Sequence, residues 1–198
     1  TILEISIVTF LLAISGAVAQ FPVGKISDIY DRRRVIIFST FGAAIFAIIA
    51  IFVSRQMYLP GGLATSKTWF YIFFILFSFC SLPMFSLILA HTNDYIPKEK
   101  FVAAGAGLQF AFGLGAMSGP FLCSIFMDIV GSNGFFIFLF LFHSVIGVYG
   151  IHRMRVRQTV DNPDSQFVAM PQTITPAGIE LNPTTEPIDD PIKEENKF

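Results

Sequence analysis

The sequence predicts an all-α integral membrane protein with five transmembrane helices and a polar C-terminal tail, on three observations. Of its 198 residues, 54% are apolar and only 14% charged, with a mean hydropathy of +0.66, a balance foreign to water-soluble domains. The charges fall in short clusters that bound five long uncharged runs. Lys and Arg are concentrated in alternate connections, as membrane topology demands.

A spanning helix needs roughly 20 apolar residues, because hydrocarbon offers no water to backbone N–H and C=O groups and they must pair within the segment. Between Glu4 and Lys25 lie 20 uncharged residues, which predicts a span over about 5–24. Arg34 and Arg55 bound another 20, giving 35–54. From Lys67 to Asp94 the run is 26 residues, but His91 to Asn93 are polar, so the third span is 69–90. Trp69 and Tyr71 at its outer edge suit an interfacial aromatic belt. The run from Phe101 to Met127 has 27 residues and that from Phe135 to His152 has 18, predicting spans over 101–127 and 135–152. Asp128 and the turn signal Gly131-Ser132-Asn133-Gly134 divide them.

Five crossings put the chain ends on opposite sides. One side holds Lys25, Arg32, Arg33, Arg34, Lys98, Lys100, Arg153, Arg155 and Arg157, nine in all, and the other only Arg55 and Lys67. The bias predicts a cell (inner) membrane protein whose Lys25–Arg34 and Asn93–Lys100 connections and C-terminal tail are cytoplasmic. Residues 1–157 form the helical bundle and carry a net charge of +5, against −6 for residues 158–198. That tail holds six of the eleven prolines and no sustained apolar period, so it is expected to be disordered, either solvated or serving to dock a partner. No charged n-region precedes the first apolar run, which therefore reads as the interior of a longer chain rather than a signal peptide.

Several chemistries are excluded by type. Cys80 and Cys123 lie inside apolar runs, where a thiol acts as a small hydrophobe, so neither a disulfide nor a metal site is expected. There is no Gly-rich phosphate loop followed by Lys-Ser/Thr and no nucleophile with base and orienting acid at workable spacing. Enzyme activity, a cofactor, ATP-driven pumping and a nucleic-acid partner are therefore not expected.

The first connection reads Gly24-Lys25-Ile26-Ser27-Asp28-Ile29-Tyr30-Asp31-Arg32-Arg33-Arg34. A glycine at the helix end, a carboxylate four residues on and an Arg cluster four beyond resembles the signature loop of the major facilitator superfamily, G-x-x-x-D-x-x-G-R-R. Gly24, Asp28, Arg32 and Arg33 match, while Ile29 stands where a basic residue is usual and Asp31 replaces the second glycine. Because four spans follow the loop, the resemblance implies helices eight to twelve, most of the C-terminal six-helix half of a twelve-helix fold. Ala19–Gly24, Ala90–Asp94 and Gly113–Pro120 look most like the bacterial YcaD-like branch. The implied function is secondary active transport of a small solute by alternating access, with the bilayer, the N-terminal half of the same transporter and an unidentified substrate as partners. The alternative is a five-span anchor or sensor whose tail recruits a partner; seven more spans upstream would favour transport.

Two further features can be read from residues alone. On the fourth span Ala103, Gly107, Ala111, Gly115 and Gly119 recur every four residues, a small-residue face that predicts close approach of a neighbouring helix. Gly119-Pro120 permits a kink there. Asp94 follows the C-terminal end of the third span, where the helix dipole disfavours a carboxylate by roughly 0.3–1 kcal/mol unless a cation compensates. Arg32 or Arg33 is the expected partner, forming a latch that closes the cytoplasmic side and holds an outward-open state. The resemblance adds a contact from Asp28 to a helix N-terminus of the other half. The resemblance implies that Gln20 and Gln109 sit on helices lining the central cavity, which makes them candidates for substrate contact, and that the last span is peripheral, so His143 reads as a satisfied structural histidine; Glu4 reads as a carboxylate of the outer edge.

Overall fold

A computed structural model describes residues 2–56, 63–156, 167–170 and 178. Its main helices are α1 (Ile2–Ile29), α2 (Arg32–Gln56), α3 (Leu63–Ser81), α4 (Met84–Asn93), α5 (Phe101–Val130) and α6 (Gly134–Val156), with a short 3₁₀ turn at Lys98–Lys100 before α5. The described residues contain no strand. Five segments are long and apolar enough to cross a membrane, and each contains one predicted span. α1, α2 and α6 overrun their uncharged runs at both ends, placing Lys25, Asp28, Arg32–Arg34, Arg55, Arg153 and Arg155 on helical turns, whereas Asp31, Asp94 and Lys98–Lys100 lie outside the α-helices.

The third crossing differs from expectation, because α3 and α4 are its two halves. Pro83 has no N–H and its ring opposes the preceding turn, so the helix is interrupted at Leu82-Pro83. Leu82 N–H still donates to Ser78 O (2.9 Å) and Leu87 N–H to Pro83 O (3.0 Å), which keeps the backbone paired through the break. Pro22 and Pro120, by contrast, sit inside continuous helices.

Packing centres on α2. It is flanked by α3 and α6, while α1 lies against α3 and α5 against α6. Ala43, Ala44, Ala47 and Ala50 of α2 are 0–2% exposed. Facing it on α6, a Cβ added to Gly147 would stand 2.8 Å from the Phe41 ring, and one on Gly150 would stand 2.8 Å from Ile37. These helices approach as closely as they do because the residues between them are small. Phe70 and Phe74 of α3 meet Phe135 and Phe136 of α6 edge to face, so the two Phe-rich clusters form one packed seam.

Hydroxyls tie the crossings together. Ser15 donates to Ile75 O (2.9 Å) and Ser78 to Leu12 O (2.8 Å), joining α1 to α3. His143 is 2.8 Å from Leu139 O through Nδ1 and 3.0 Å from Ser81 Oγ through Nε2. Both ring nitrogens are occupied, the structural arrangement expected for this histidine. Gly131, at φ 78°, ends α5 in the left-handed region that glycine permits, and the predicted turn follows it.

One part of the tail departs from a solvated chain. Phe167–Met170 lies against α1 and α4, with Met170 only 6% exposed. Phe167-Val168-Ala169-Met170 is a local apolar run in an otherwise polar segment, and burial of its Phe and Met side chains drives the contact. The expectation of disorder for the rest of residues 158–198 falls almost wholly outside the described residues.

Candidate functional site

The ends of α1, α2 and α4 on the Lys/Arg-rich side converge on one guanidinium. The turn between α1 and α2 is made by Tyr30 and Asp31, and Asp31 caps α2: its carboxylate accepts the Arg33 N–H (3.0 Å) and its carbonyl accepts the Arg34 N–H (2.9 Å). The same carboxylate takes Arg33 Nη2 at 2.9 Å. Burial alone would raise the Asp31 pKa, but the Arg33 side chain and backbone N–H outweigh it and hold the carboxyl below its ordinary value. No described non-glycine residue has positive φ, so aspartate replaces the signature loop's second glycine here without backbone strain and contributes a cap instead.

With Arg33 held by Asp31, Arg32 is the residue that reaches inward. Its side chain is 7% exposed, and its Nη2 lies 3.0 Å from Asp28 Oδ1 while Nη1 lies 2.8 Å from Asp94 Oδ1 and 3.1 Å from Ala90 O. The planar fork of arginine suits this double engagement, because its N–H groups project in fixed directions towards two carboxylates. Ala90 O belongs to the last turn of α4, whose dipole is negative, and already accepts the Asp94 N–H (3.2 Å), so one cation answers both the Asp94 charge and the negative end of the helix. The expected Asp94 pairing is thus made by Arg32, and it locks the α1–α2 turn to the end of α4.

Asp28 Oδ1 has a second partner, the backbone N–H of Phe167 at 2.8 Å. Gly24, one turn earlier on α1, lies directly under the Phe167 ring; a Cβ added there would come within 2.2 Å of it. Phe167 packs against a buried cluster of Val23, Val35 and Leu87. Ser86 of α4, 1% exposed, donates to Met170 O (2.8 Å) and accepts the Met170 N–H (3.1 Å). Sequence reasoning passed over Ser86, which carries no motif, and averaged Phe167 and Met170 into the acidic tail.

The other candidates lie elsewhere. Ala103, Gly107, Ala111 and Gly115 are exposed along α5 and Gly119 and Pro120 continue the face; a Cβ on Gly107, Gly115 or Gly119 would meet nothing within 4 Å. The close neighbour predicted for this face is not found among the described residues. Gln20 is half-buried on α1 and Gln109 half-buried on α5, two helices that do not pack extensively on each other. Gln109 Oε1 is buried without a hydrogen-bond partner among the described residues. Glu4 pairs with Lys67 where α1 and α3 both begin, on the opposite side, with both side chains about two-fifths exposed.

The arginine buried between Asp28 and Asp94 belongs to the Gly24–Arg34 connection that resembles the signature loop, and it makes the Asp94 pairing expected from the helix dipole. The family model described as Major Facilitator Superfamily matches residues 1–184. The chain belongs to the major facilitator superfamily. An uncharacterized MFS-type transporter of Yersinia enterocolitica is 24% identical over 160 residues, 81% of this chain and 37% of the relative. The chain therefore spans well under half the length of that curated relative. No solved structure matches it. Membership of this superfamily and five apolar helices make the chain a multi-pass membrane protein of the major facilitator transporter type, a class of transporters rather than enzymes.

Proposed function

We propose that this superfamily chain forms helices eight to twelve of a secondary active transporter of the bacterial YcaD-like branch, and that it moves a small solute across the inner membrane by alternating access. The observation that carries the reading is Arg32, 7% exposed and held between Asp28 and Asp94. Two rigid elements joined by a buried charge cluster at one membrane face form a bistable contact, which is what a gate requires. The basic side is cytoplasmic, by the nine-to-two distribution of Lys and Arg. Closing the cluster closes that side and favours the outward-open state.

An N-terminal half supplies the remaining wall of the cavity. The exposed small-residue face of α5 receives one of its helices, since a face with open space over Gly107, Gly115 and Gly119 suits close backbone approach. Gln20 and Gln109 supply polar contacts to the solute, and the unpartnered Oε1 of Gln109 provides an acceptor.

Asp28→Asn in the complete transporter tests the gate. It keeps a side-chain oxygen and removes the charge, so membrane insertion is unchanged and transport slows. Uptake and efflux are followed across drugs, sugars and organic acids with and without a proton gradient. A variant that transports at the original rate on every solute the original protein moves would remove the gate from the mechanism.

A further inference from the structure

The contact between Phe167–Met170 and the basic-side ends of α1 and α4 has features of a ligand in a site. It is made by main-chain groups as well as side chains: Phe167 N–H on Asp28 Oδ1, and the Met170 N–H and C=O both on Ser86 Oγ. It has an aromatic seat, since only a glycine at position 24 leaves room for the Phe167 ring. It is also inward-facing at both ends, with Phe167 packed on Val23, Val35 and Leu87 and Met170 6% exposed, while Ala169 between them is exposed. Main-chain hydrogen bonds combined with anchoring side chains at either end are how a short peptide is recognised in a groove.

We propose that Phe167–Met170 is an internal peptide ligand of the gate, a tethered strap that occupies Asp28 and competes for it with the other half of the transporter. The carboxylate oxygen concerned has two lone pairs, and Arg32 and Phe167 N–H use both. A backbone N–H from another helix can take that oxygen only after the strap has left. The strap reaches the groove without crossing the membrane, because α6 ends on the same side as α1 and α4. Docking stands on its own geometry; its consequence, that the strap brakes the gate, rests on the transporter reading above.

The test uses the complete protein in its membrane, with Cys80 and Cys123 replaced by Ala and paired cysteines introduced as Ser86→Cys with Met170→Cys, or Ser86→Cys with Ala169→Cys. Mild oxidation joins 86 to 170 several-fold faster than 86 to 169. Adding Phe167→Ala, or from the groove side Gly24→Ala, brings the 86–170 rate down towards that of the control pair. Equal rates for the two pairs, or indifference of the 86–170 rate to both of these changes, overturns the docked strap whether or not any solute is moved. The brake is read separately: closing the 86–170 disulfide slows transport and reductant restores it, whereas equal transport in both states overturns the brake while leaving the transporter reading intact.

Discussion

On α2, Ala43, Ala44, Ala47 and Ala50 are 0–2% exposed in the middle of the bundle, whereas on α5 the similarly spaced Ala103, Gly107, Ala111 and Gly115 look onto open space. Both helices present small residues at three- and four-residue intervals, so both are competent for close approach in a medium where apolar burial gives little association energy. On α2 the neighbours α3 and α6 belong to the same chain and fill the face. On α5 the small-residue face stays open while other positions meet α6 and α4, the latter through Phe112 against Phe85. Small-residue spacing therefore specifies how near a helix can come and leaves open which helix comes. The buried arginine belongs to the filled side too, at the first turn of α2, so that helix unites the packing core with the charge cluster.

The largest effect expected from this asymmetry is at Arg32. Arg32→Met keeps the length and apolar stem but leaves Asp28 and Asp94 facing each other without their cation. Removing one partner of a buried ion pair costs about 3–5 kcal/mol, and the 35% exposure of Asp28 puts the loss at the lower end. Thermal unfolding in detergent would register it, and a melting temperature equal to that of the original protein would show that the cluster contributes nothing to the filled side. Next comes Ala47→Leu, which inserts three heavy atoms where the side chain is 1% exposed. Overpacking of this sort costs about 1–3 kcal/mol, and the same melting experiment reads it. Asp31→Ala removes the α2 cap and the Asp31–Arg33 pair, a loss of about 1 kcal/mol that should vanish if pH is lowered far enough to protonate Asp31 in the original protein. The direction follows from a carboxyl whose folded pKa is depressed: its stabilisation is present above the ordinary aspartate range and is lost as pH falls through the lowered value.

The crossings were legible because hydrocarbon forces each segment to satisfy its own backbone, which makes an uncharged run of sufficient length a nearly complete description of a span. The break at Pro83 was not, since an uncharged run is blind to a missing N–H inside it. The partner of Asp94 was legible as one of two arginines, and the choice between them was decided by Asp31. By capping α2 and holding Arg33, Asp31 turns Arg32 inward, a consequence of a single residue's backbone geometry. The docked strap was hidden for a different reason. Its four residues sit in a tail whose average composition is acidic and Pro-rich, and a segment average cannot show that Phe167 faces the one helix position lacking a Cβ on that turn.

The smallest effect on this chain, and the sharpest division between the two faces, is expected at Gly115. Gly115→Leu places a branched side chain where nothing lies within 4 Å, so the melting temperature of the 198-residue chain should move by no more than about 0.5 kcal/mol allows. In the complete transporter the same change should widen the approach of the opposing helix and slow transport, as Ala47→Leu would destabilise both forms alike. A destabilisation of the 198-residue chain by Gly115→Leu as large as that from Ala47→Leu would mean that the α5 face is already filled and would cancel the distinction between the helices. Unaltered transport in the complete protein would mean that the face meets lipid and not protein, and the close neighbour would have to be sought on another side of α5.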